Sequence, residues 1–283
     1  MDIQKIAVIG AGTMGGAITH LAALSEFNVI MCDVKEDYLQ KALDRMTSFM
    51  DRSIAKGKMT EDEKVHVLER ITTTTELEEV KTAQFVIEAI IEDLEAKKDL
   101  FRQLDHLLPP NVVTVTNTSS MSITLISEAT ERQSKVAGMH FFNPPQIMKL
   151  VEVIRGYKTS DETVSIVKEV AQKMGKEAIE VKKDTPGFIV NRVMIPQFLE
   201  AIRIVEEGIA SPEDVDKAVK LGLNYPMGPF ELQDFAGVDI GMYVADYMYE
   251  EYKDDRFAVP LLLRNLVRAG RVGKKSGAGW YDY

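Results

Sequence analysis

The first two thirds of the chain alternate short apolar runs with stretches of helical spacing. Lys5-Ile-Ala-Val-Ile9 is apolar and ends in glycines, and 13–25 reads as the helix that follows. Asn28-Val-Ile-Met-Cys-Asp33 is a second buried strand. From Asp37 to Lys56 the apolar residues fall at Leu39, Leu43, Met46, Phe49, Met50 and Ile54, which is helical spacing. Thr60 and Glu63 have the separation of a capping box. Strands are predicted at 71–74, 84–90, 112–117 and 135–141, with a helix at 93–108. Leu150-Val-Glu-Val-Ile154, a helix at 161–174 and a strand at 177–182 complete the region. Strand–helix repetition of this kind predicts a parallel sheet covered on both faces.

The pattern changes at Pro186-Gly187. Beyond it only helices fit, at 188–207, 212–221, 228–236, 238–251 and 259–270. Ser211-Pro212-Glu213-Asp214 is a helix start, with an N-cap, a proline at the first helical position and acids in the first turn. The chain therefore divides near 185, into an α/β domain over 1–185 and an all-α domain over 186–283. Its length of 283 residues agrees with about two domains. An apolar stripe at Ile195, Leu199, Ile202 and Val205 is expected to be partly buried between two copies of the chain.

Charge narrows the partners. Lys and Arg total 34 against 44 Asp and Glu, and a net charge of −10 repels a nucleic-acid backbone. One exception is local: Arg264, Arg268, Arg271, Lys274 and Lys275 lie together without an acid, a patch suited to one phosphorylated ligand. A single cysteine, Cys32, excludes an internal disulfide and makes a reducing compartment the default. Histidines at 20, 66, 106 and 140 show no ligand spacing, so no metal is expected. No apolar run reaches membrane-span length, and the acid at Asp2 with a strand by Lys5 leaves no room for a signal peptide. The expectation is a cytoplasmic protein without a membrane partner.

Gly10-Ala11-Gly12-Thr13-Met14-Gly15 matches GxGxxG in the context that gives the motif meaning, after a strand and opening a helix. The first glycine allows the tight turn, the second lets backbone approach a pyrophosphate, and the third permits close helix–strand packing. Asp33 ends the second strand, where an acid would hold a ribose 2′-hydroxyl and repel a 2′-phosphate. The pattern therefore favours NAD over NADP, with Lys35 close enough to soften the preference.

Hydride transfer from an alcohol needs a base for the hydroxyl proton. His66 reads as a surface residue, His106 as structural or exposed, and His20 as packed in the first helix. His140 ends a strand, where ligands of open α/β sheets bind, so it is a candidate base or a strand-end packing residue. Thr116-Asn117-Thr118-Ser119-Ser120 ends another strand, and its polar run suits a ribose, a substrate oxygen or a helix cap. Glu152 stands in an otherwise apolar strand. It either partners His140 or faces solvent.

The glycine motif, Asp33, Asn117-Thr-Ser-Ser120, His140-Phe-Phe-Asn-Pro144, Met148-Lys-Leu-Val-Glu-Val-Ile154, Pro186-Gly-Phe-Ile-Val-Asn-Arg192 and Gly277-Ala-Gly-Trp-Tyr-Asp-Tyr283 occur in one order. That order resembles the L-3-hydroxyacyl-CoA dehydrogenases, most of all the short bacterial members of butyrate-type metabolism. The likeness runs from about residue 3 to Tyr283. It implies a Rossmann-like NAD domain, then a helical domain that dimerises and helps bind substrate. It also implies reversible NAD-dependent oxidation of a short-chain (S)-3-hydroxyacyl-CoA, such as 3-hydroxybutyryl-CoA, to the 3-ketoacyl-CoA. By this resemblance His140 is the general base and Glu152 its partner, with Ser119 and Asn191 at the substrate oxygen. Glu92, Lys97, Asn117, Ser119, Asn143 and Lys275 match positions lining the NAD site. Lys56, with Arg52 a turn earlier, matches basic positions near coenzyme A. Two departures are Gln146, where the family often has proline, and Ala17, where glycine is common. A sugar-acid or β-hydroxyacid dehydrogenase of related architecture is the nearest alternative, although many of those use a lysine acid/base. A non-catalytic NAD-binding protein is the alternative of another class.

Overall fold

The computed structural model describes residues 3–283; the acid at Asp2 and the first two residues of the 1–185 range lie outside the described residues. Internal contacts divide the chain into two compact units, Met1–Asp184 and Thr185–Tyr283. The first unit holds β1 (Lys5–Ile9), α1 (Thr13–Leu24), β2 (Asn28–Cys32), α2 (Glu36–Ala55), α3 (Glu61–Glu69), β3 (Ile71–Thr74), β4 (Phe85–Glu88) and α4 (Leu94–Leu107). These are followed by β5 (Val113–Thr116), α5 (Ile123–Ser127), β6 (Val136–Phe141), β7 (Leu150–Arg155), α6 (Asp161–Lys173) and β8 (Glu177–Val181).

All eight strands form one sheet in the order β3-β2-β1-β4-β5-β6-β7-β8. Their alternating side chains feed two cores. Ile6, Val8 and Met139 face one cluster with Ile18 of α1 and Val167 of α6. Ala7, Ile9 and Val86 face another with Leu100 and Leu104 of α4. Covering both faces explains why the central strands are continuous apolar runs. The strand order reverses at β1, which lies between β2 and β4, and that reversal opens a crevice at the carboxyl ends.

One expectation needs correction. The sheet is not wholly parallel, because β6 and β7 pair antiparallel. Only residues 142–149 connect them, and a parallel return needs a crossover of a dozen or more residues. α6 then restores the parallel sense between β7 and β8. Helix starts follow the local chemistry. Thr60 and Glu63 form a complete capping box on α3, while Asp93, Ser122 and Ser160 cap α4, α5 and α6.

The second unit is helical: α7 (Val190–Glu206), α8 (Pro212–Leu223), α9 (Pro229–Ala236), α10 (Val238–Tyr252) and α11 (Leu261–Arg268). The stripe expected between two copies is instead this unit's own core. Ile195, Leu199 and Ile202 are 2%, 1% and 0% exposed and pack with Val238, Ala245, Met248 and Phe257. A helix in a small bundle has one wide apolar face, and that face is consumed internally. The chain end is pinned by two buried acids. Asp234 accepts from the Trp280 and Tyr281 N–H groups at 2.8 and 3.0 Å and from the Tyr283 hydroxyl at 3.1 Å. Asp216 accepts from the Tyr281 hydroxyl at 2.7 Å. No helix among the described residues is long and apolar enough to cross a membrane.

Candidate functional site

The glycine loop occupies the sheet's carboxyl edge between β1 and α1. Gly10 has φ +104°, and a Cβ there would meet the Ala89 carbonyl oxygen at 2.4 Å. A Cβ on Gly15 would lie 1.8 Å from the Gly10 carbonyl oxygen, so both positions need glycine for close approach. Gly12 is different: nothing lies within 4 Å of its Cβ position, which leaves backbone facing open space. It is the N-cap of α1, and no side chain caps the helix, so the amides of the Gly12-Thr13-Met14 turn suit an anion. Asp33 follows β2 and accepts from the Ala11 N–H at 2.6 Å and the Val34 N–H at 2.7 Å. Arg45 of α2 donates to the Ala11 carbonyl at 2.8 Å and braces the loop from outside. An acid fixed beside an uncapped helix start fits a dinucleotide, with pyrophosphate at the helix and ribose at the acid. Cys32, one residue earlier, is buried, and burial with the neighbouring Asp33 pushes its thiol up to about 11, which makes it inert.

His140 and Glu152 are opposite partners in the antiparallel register of β6 and β7. His140 Nδ1 lies 2.8 Å from Glu152 Oε2, and the side chains are 5% and 1% exposed. An ionised carboxylate only accepts, so Nδ1 carries the proton and Nε2 is the basic nitrogen of the neutral ring. The Phe142 ring packs against the imidazole at 4.6 Å. The β5 end is tied to the same strand, since Asn117 Oδ1 accepts from the Phe141 N–H at 2.9 Å. Asn117, expected to line the cofactor site, thereby uses its side-chain oxygen to join two strand ends.

Ser119 is half-buried, and its N–H donates to Glu92 Oε1 at 2.9 Å. Lys97 of α4 is fully buried and pairs with Glu88 Oε1 at 2.6 Å and Glu92 Oε2 at 3.3 Å. Ser122 caps α5, and Asp184 holds the same helix start through the Thr124 N–H at 2.7 Å. Asn143 is exposed and lies with Pro144, Gln146, Met46, Phe49 and Arg52 around a groove between α2 and the 142–149 connection. Arg52 lines this groove. Lys56 is the exposed C-cap of α2 and does not line it. Gln146 Nε2 lies 3.2 Å from Nδ1 of the buried His20. His66 and His106 are exposed, away from these strand ends.

In the helical unit, Asn191 lies in the first turn of α7, and Lys275 pairs with Asp239 at 2.6 Å. The basic run expected to meet a phosphate is mostly spent internally. Arg264 makes two bonds to Asp246, at 3.0 and 2.6 Å, and Arg271 pairs with Asp282 at 2.8 Å. Acids distant in sequence neutralise bases that look unpaired along the chain.

Sequence reasoning passed over Glu88, Arg45 and Asp184. Glu88 had a usable signal, because Phe85-Val-Ile-Glu88 places an acid in an apolar strand just as 150–154 does.

Residues 5–185 match the family model described as "3-hydroxyacyl-CoA dehydrogenase, NAD binding domain", and 187–283 match "3-hydroxyacyl-CoA dehydrogenase, C-terminal domain". A Bacillus subtilis protein named "Probable 3-hydroxybutyryl-CoA dehydrogenase" is 46% identical over 283 residues, covering 100% of this chain and 98% of its own. The crystal structure of Mycobacterium tuberculosis FadB2 superposes with a TM-score of 0.98 at 39% identity, over 100% of both chains. That of (S)-3-hydroxybutyryl-CoA dehydrogenase PaaH1 from Ralstonia eutropha gives 0.96 at 40% identity, over 100% of this chain and 99% of the other. With a Rossmann-like unit carrying the glycine loop, a helical unit after it and matches along nearly its whole length, the chain belongs to the 3-hydroxyacyl-CoA dehydrogenase family.

Proposed function

We propose that the protein catalyses the reversible, NAD(H)-dependent interconversion of (S)-3-hydroxybutyryl-CoA and acetoacetyl-CoA, together with other short 3-hydroxyacyl-CoAs, in butyrate or fatty-acid metabolism. The observation that carries this reading is the buried His140–Glu152 contact at 2.8 Å, on the sheet edge that also bears the glycine loop. The nicotinamide supplies the hydride acceptor or donor. In oxidation His140 Nε2 takes the C3 hydroxyl proton as hydride leaves C3, and in reduction it returns that proton. Glu152 holds the Nδ1–H, fixes which nitrogen faces the substrate and stabilises the imidazolium that forms. Ser119 and Asn191 are the polar groups for the C3 oxygen, on the strength of the family likeness.

Asp33 supports NAD over NADP, since its carboxylate would face a 2′-phosphate with like charge. Gly10, Ala11, Gly12, Thr13, Met14 and Gly15 serve the pyrophosphate, and Glu92, Asn117, Asn143 and Lys275 belong to the cofactor's surroundings. For coenzyme A, Arg52 in its groove is a stronger candidate than Lys56 at the helix end. The relatives' names and the groove favour an acyl-CoA over a sugar acid. The test is NADH and NADPH oxidation with acetoacetyl-CoA and longer 3-ketoacyl-CoAs. Fastest turnover with acetoacetyl-CoA and NADH is expected. Flat traces with every 3-ketoacyl-CoA would defeat the reading, and a preference for NADPH would defeat its Asp33 part.

A further inference from the structure

Two consecutive residues ahead of α7 take the left-handed backbone, Gly187 at φ +76° and Phe188 at φ +51°. Glycine adopts that conformation freely, whereas a bulky aromatic residue is strained in it. Phe188 is also 2% exposed, so its side chain is committed to the interior. Strain of this kind persists only where the surroundings over-determine the backbone. Here α10 presses on the turn. Met248 comes so close to Gly187 that a Cβ there would lie 2.8 Å from its Sδ. Tyr252 follows one turn later on the same face of α10, and its hydroxyl bonds to the Pro186 carbonyl at 3.2 Å and to the Thr185 hydroxyl. Arg192 of α7 completes the set. It donates to Thr185 Oγ1 at 3.0 Å, and its guanidinium lies 4.8 Å from the Tyr252 ring centroid.

One arrangement of protons satisfies every member. Arg192 can only donate, so Thr185 Oγ1 accepts from it, the Thr185 hydroxyl donates to the Tyr252 oxygen, and Tyr252 donates to the Pro186 carbonyl. Bonds aligned in one direction polarise one another. The Arg192 N–H also reaches back to the Gly187 carbonyl at 3.0 Å. No side-chain cap opens α7, so this chain of bonds stands in for one and fixes where the helix begins. Asn191 lies in that first turn, immediately before Arg192. We infer that Tyr252 and Arg192 are positioning residues for Asn191: together they hold the Thr185–Phe188 turn from which Asn191 is presented. The inference rests on the reading of Asn191 as a group at the C3 oxygen. Lys275, the helical unit's residue among the cofactor's surroundings, meets α10 at Asp239, the opposite end of that helix from Tyr252. Loosening the turn therefore disturbs Asn191 and leaves the cofactor contacts in place.

The experiment compares Tyr252→Phe and Arg192→Met, each with Asn191 intact and with Asn191→Ala, by steady-state reduction of acetoacetyl-CoA with NADH. Tyr252→Phe keeps the ring that stacks on Phe257 at 5.2 Å and removes only the hydroxyl. Arg192→Met, at an exposed position, carries the test if Tyr252→Phe does not fold. With Asn191 intact, the change should cost on the order of 10-fold in kcat while KM for NADH stays within about twofold. With Asn191→Ala, the same change should cost less than about twofold, because no amide is left to misplace. Equal losses in both backgrounds would overturn the inference and make the bonds merely structural. A raised KM for NADH with kcat preserved would overturn it too, since the turn would then serve the cofactor. A loss for Asn191→Ala with none for Tyr252→Phe overturns the inference alone. An unchanged kcat for Asn191→Ala removes the reading of Asn191 and the inference with it.

Discussion

His20 sits on α1 with its imidazole enclosed and the edge of Phe49 against it at 5.4 Å. Burial lowers its pKa to about 4. The folded value lies below the unfolded value of 6.5, so the unfolded chain binds a proton first as pH falls. The stability tied to neutral His20 is complete above about pH 6.5 and is lost between there and about pH 4. Urea unfolding at pH 7.5 and pH 5 should show wild type losing about 2 kcal/mol more than His20→Leu on acidification. Equal losses would mean that His20 is hydrated or charged in the native state. At this scale the sequence spoke unevenly. An acid in an apolar strand marked Glu152 as needing a partner, and the structure supplies His140. Glu88 carried the same mark, yet its partner Lys97 is a lysine in a polar-looking helix, and nothing local reveals that its tail turns inward. The basic run 264–275 misled for the converse reason, since Asp246 and Asp282 reach it only through the fold.

Among the elements, those built on local periodicity were legible, and those set by pairing were not. The stripe of α2 from Leu39 to Met50 and the caps at Thr60 and Ser211 declare themselves within a turn or two of helix. The direction of β7 depends on the length of a connection and on which edge remains free, and strand–helix repetition is silent on both. That reversal matters, because it sets His140 directly opposite Glu152. The chain end is another element fixed from a distance. Tyr283 is pushed up to about 12 by burial and by its bond to Asp234, which marks how closely that carboxylate is shared. Asp234→Ala would leave two N–H groups and a hydroxyl without their acceptor, at a cost of about 3 kcal/mol or more. For a chain of this size the melting midpoint should fall by roughly 6–12 °C. A shift within roughly 2 °C would show that the C-terminal segment is held by other contacts.

The division into an α/β part and a helical part came from one feature, the loss of strand signals after Pro186-Gly187. The surface through which two molecules would meet did not follow from pattern, because the apolar stripe of α7 serves its own unit. What the helical unit leaves exposed is a different set, with Val193, Leu221, Leu223, Ile240 and Tyr243 all more than half exposed. Large apolar groups in that number suit a homodimer. Sedimentation at micromolar concentration should give twice the chain mass, and Val193→Glu with Tyr243→Glu should give a monomer. A monomeric wild type would contradict this. At the centre of the account stands proton transfer by His140 supported by Glu152. The most direct test is kcat for acetoacetyl-CoA reduction in wild type and Glu152→Gln, beside an NADH binding titration of each. Gln keeps the shape and removes the charge, so kcat should fall by roughly 10²-fold or more while NADH affinity stays within about twofold. Unchanged turnover would contradict the account and show that Glu152 is a strand residue with no part in the chemistry.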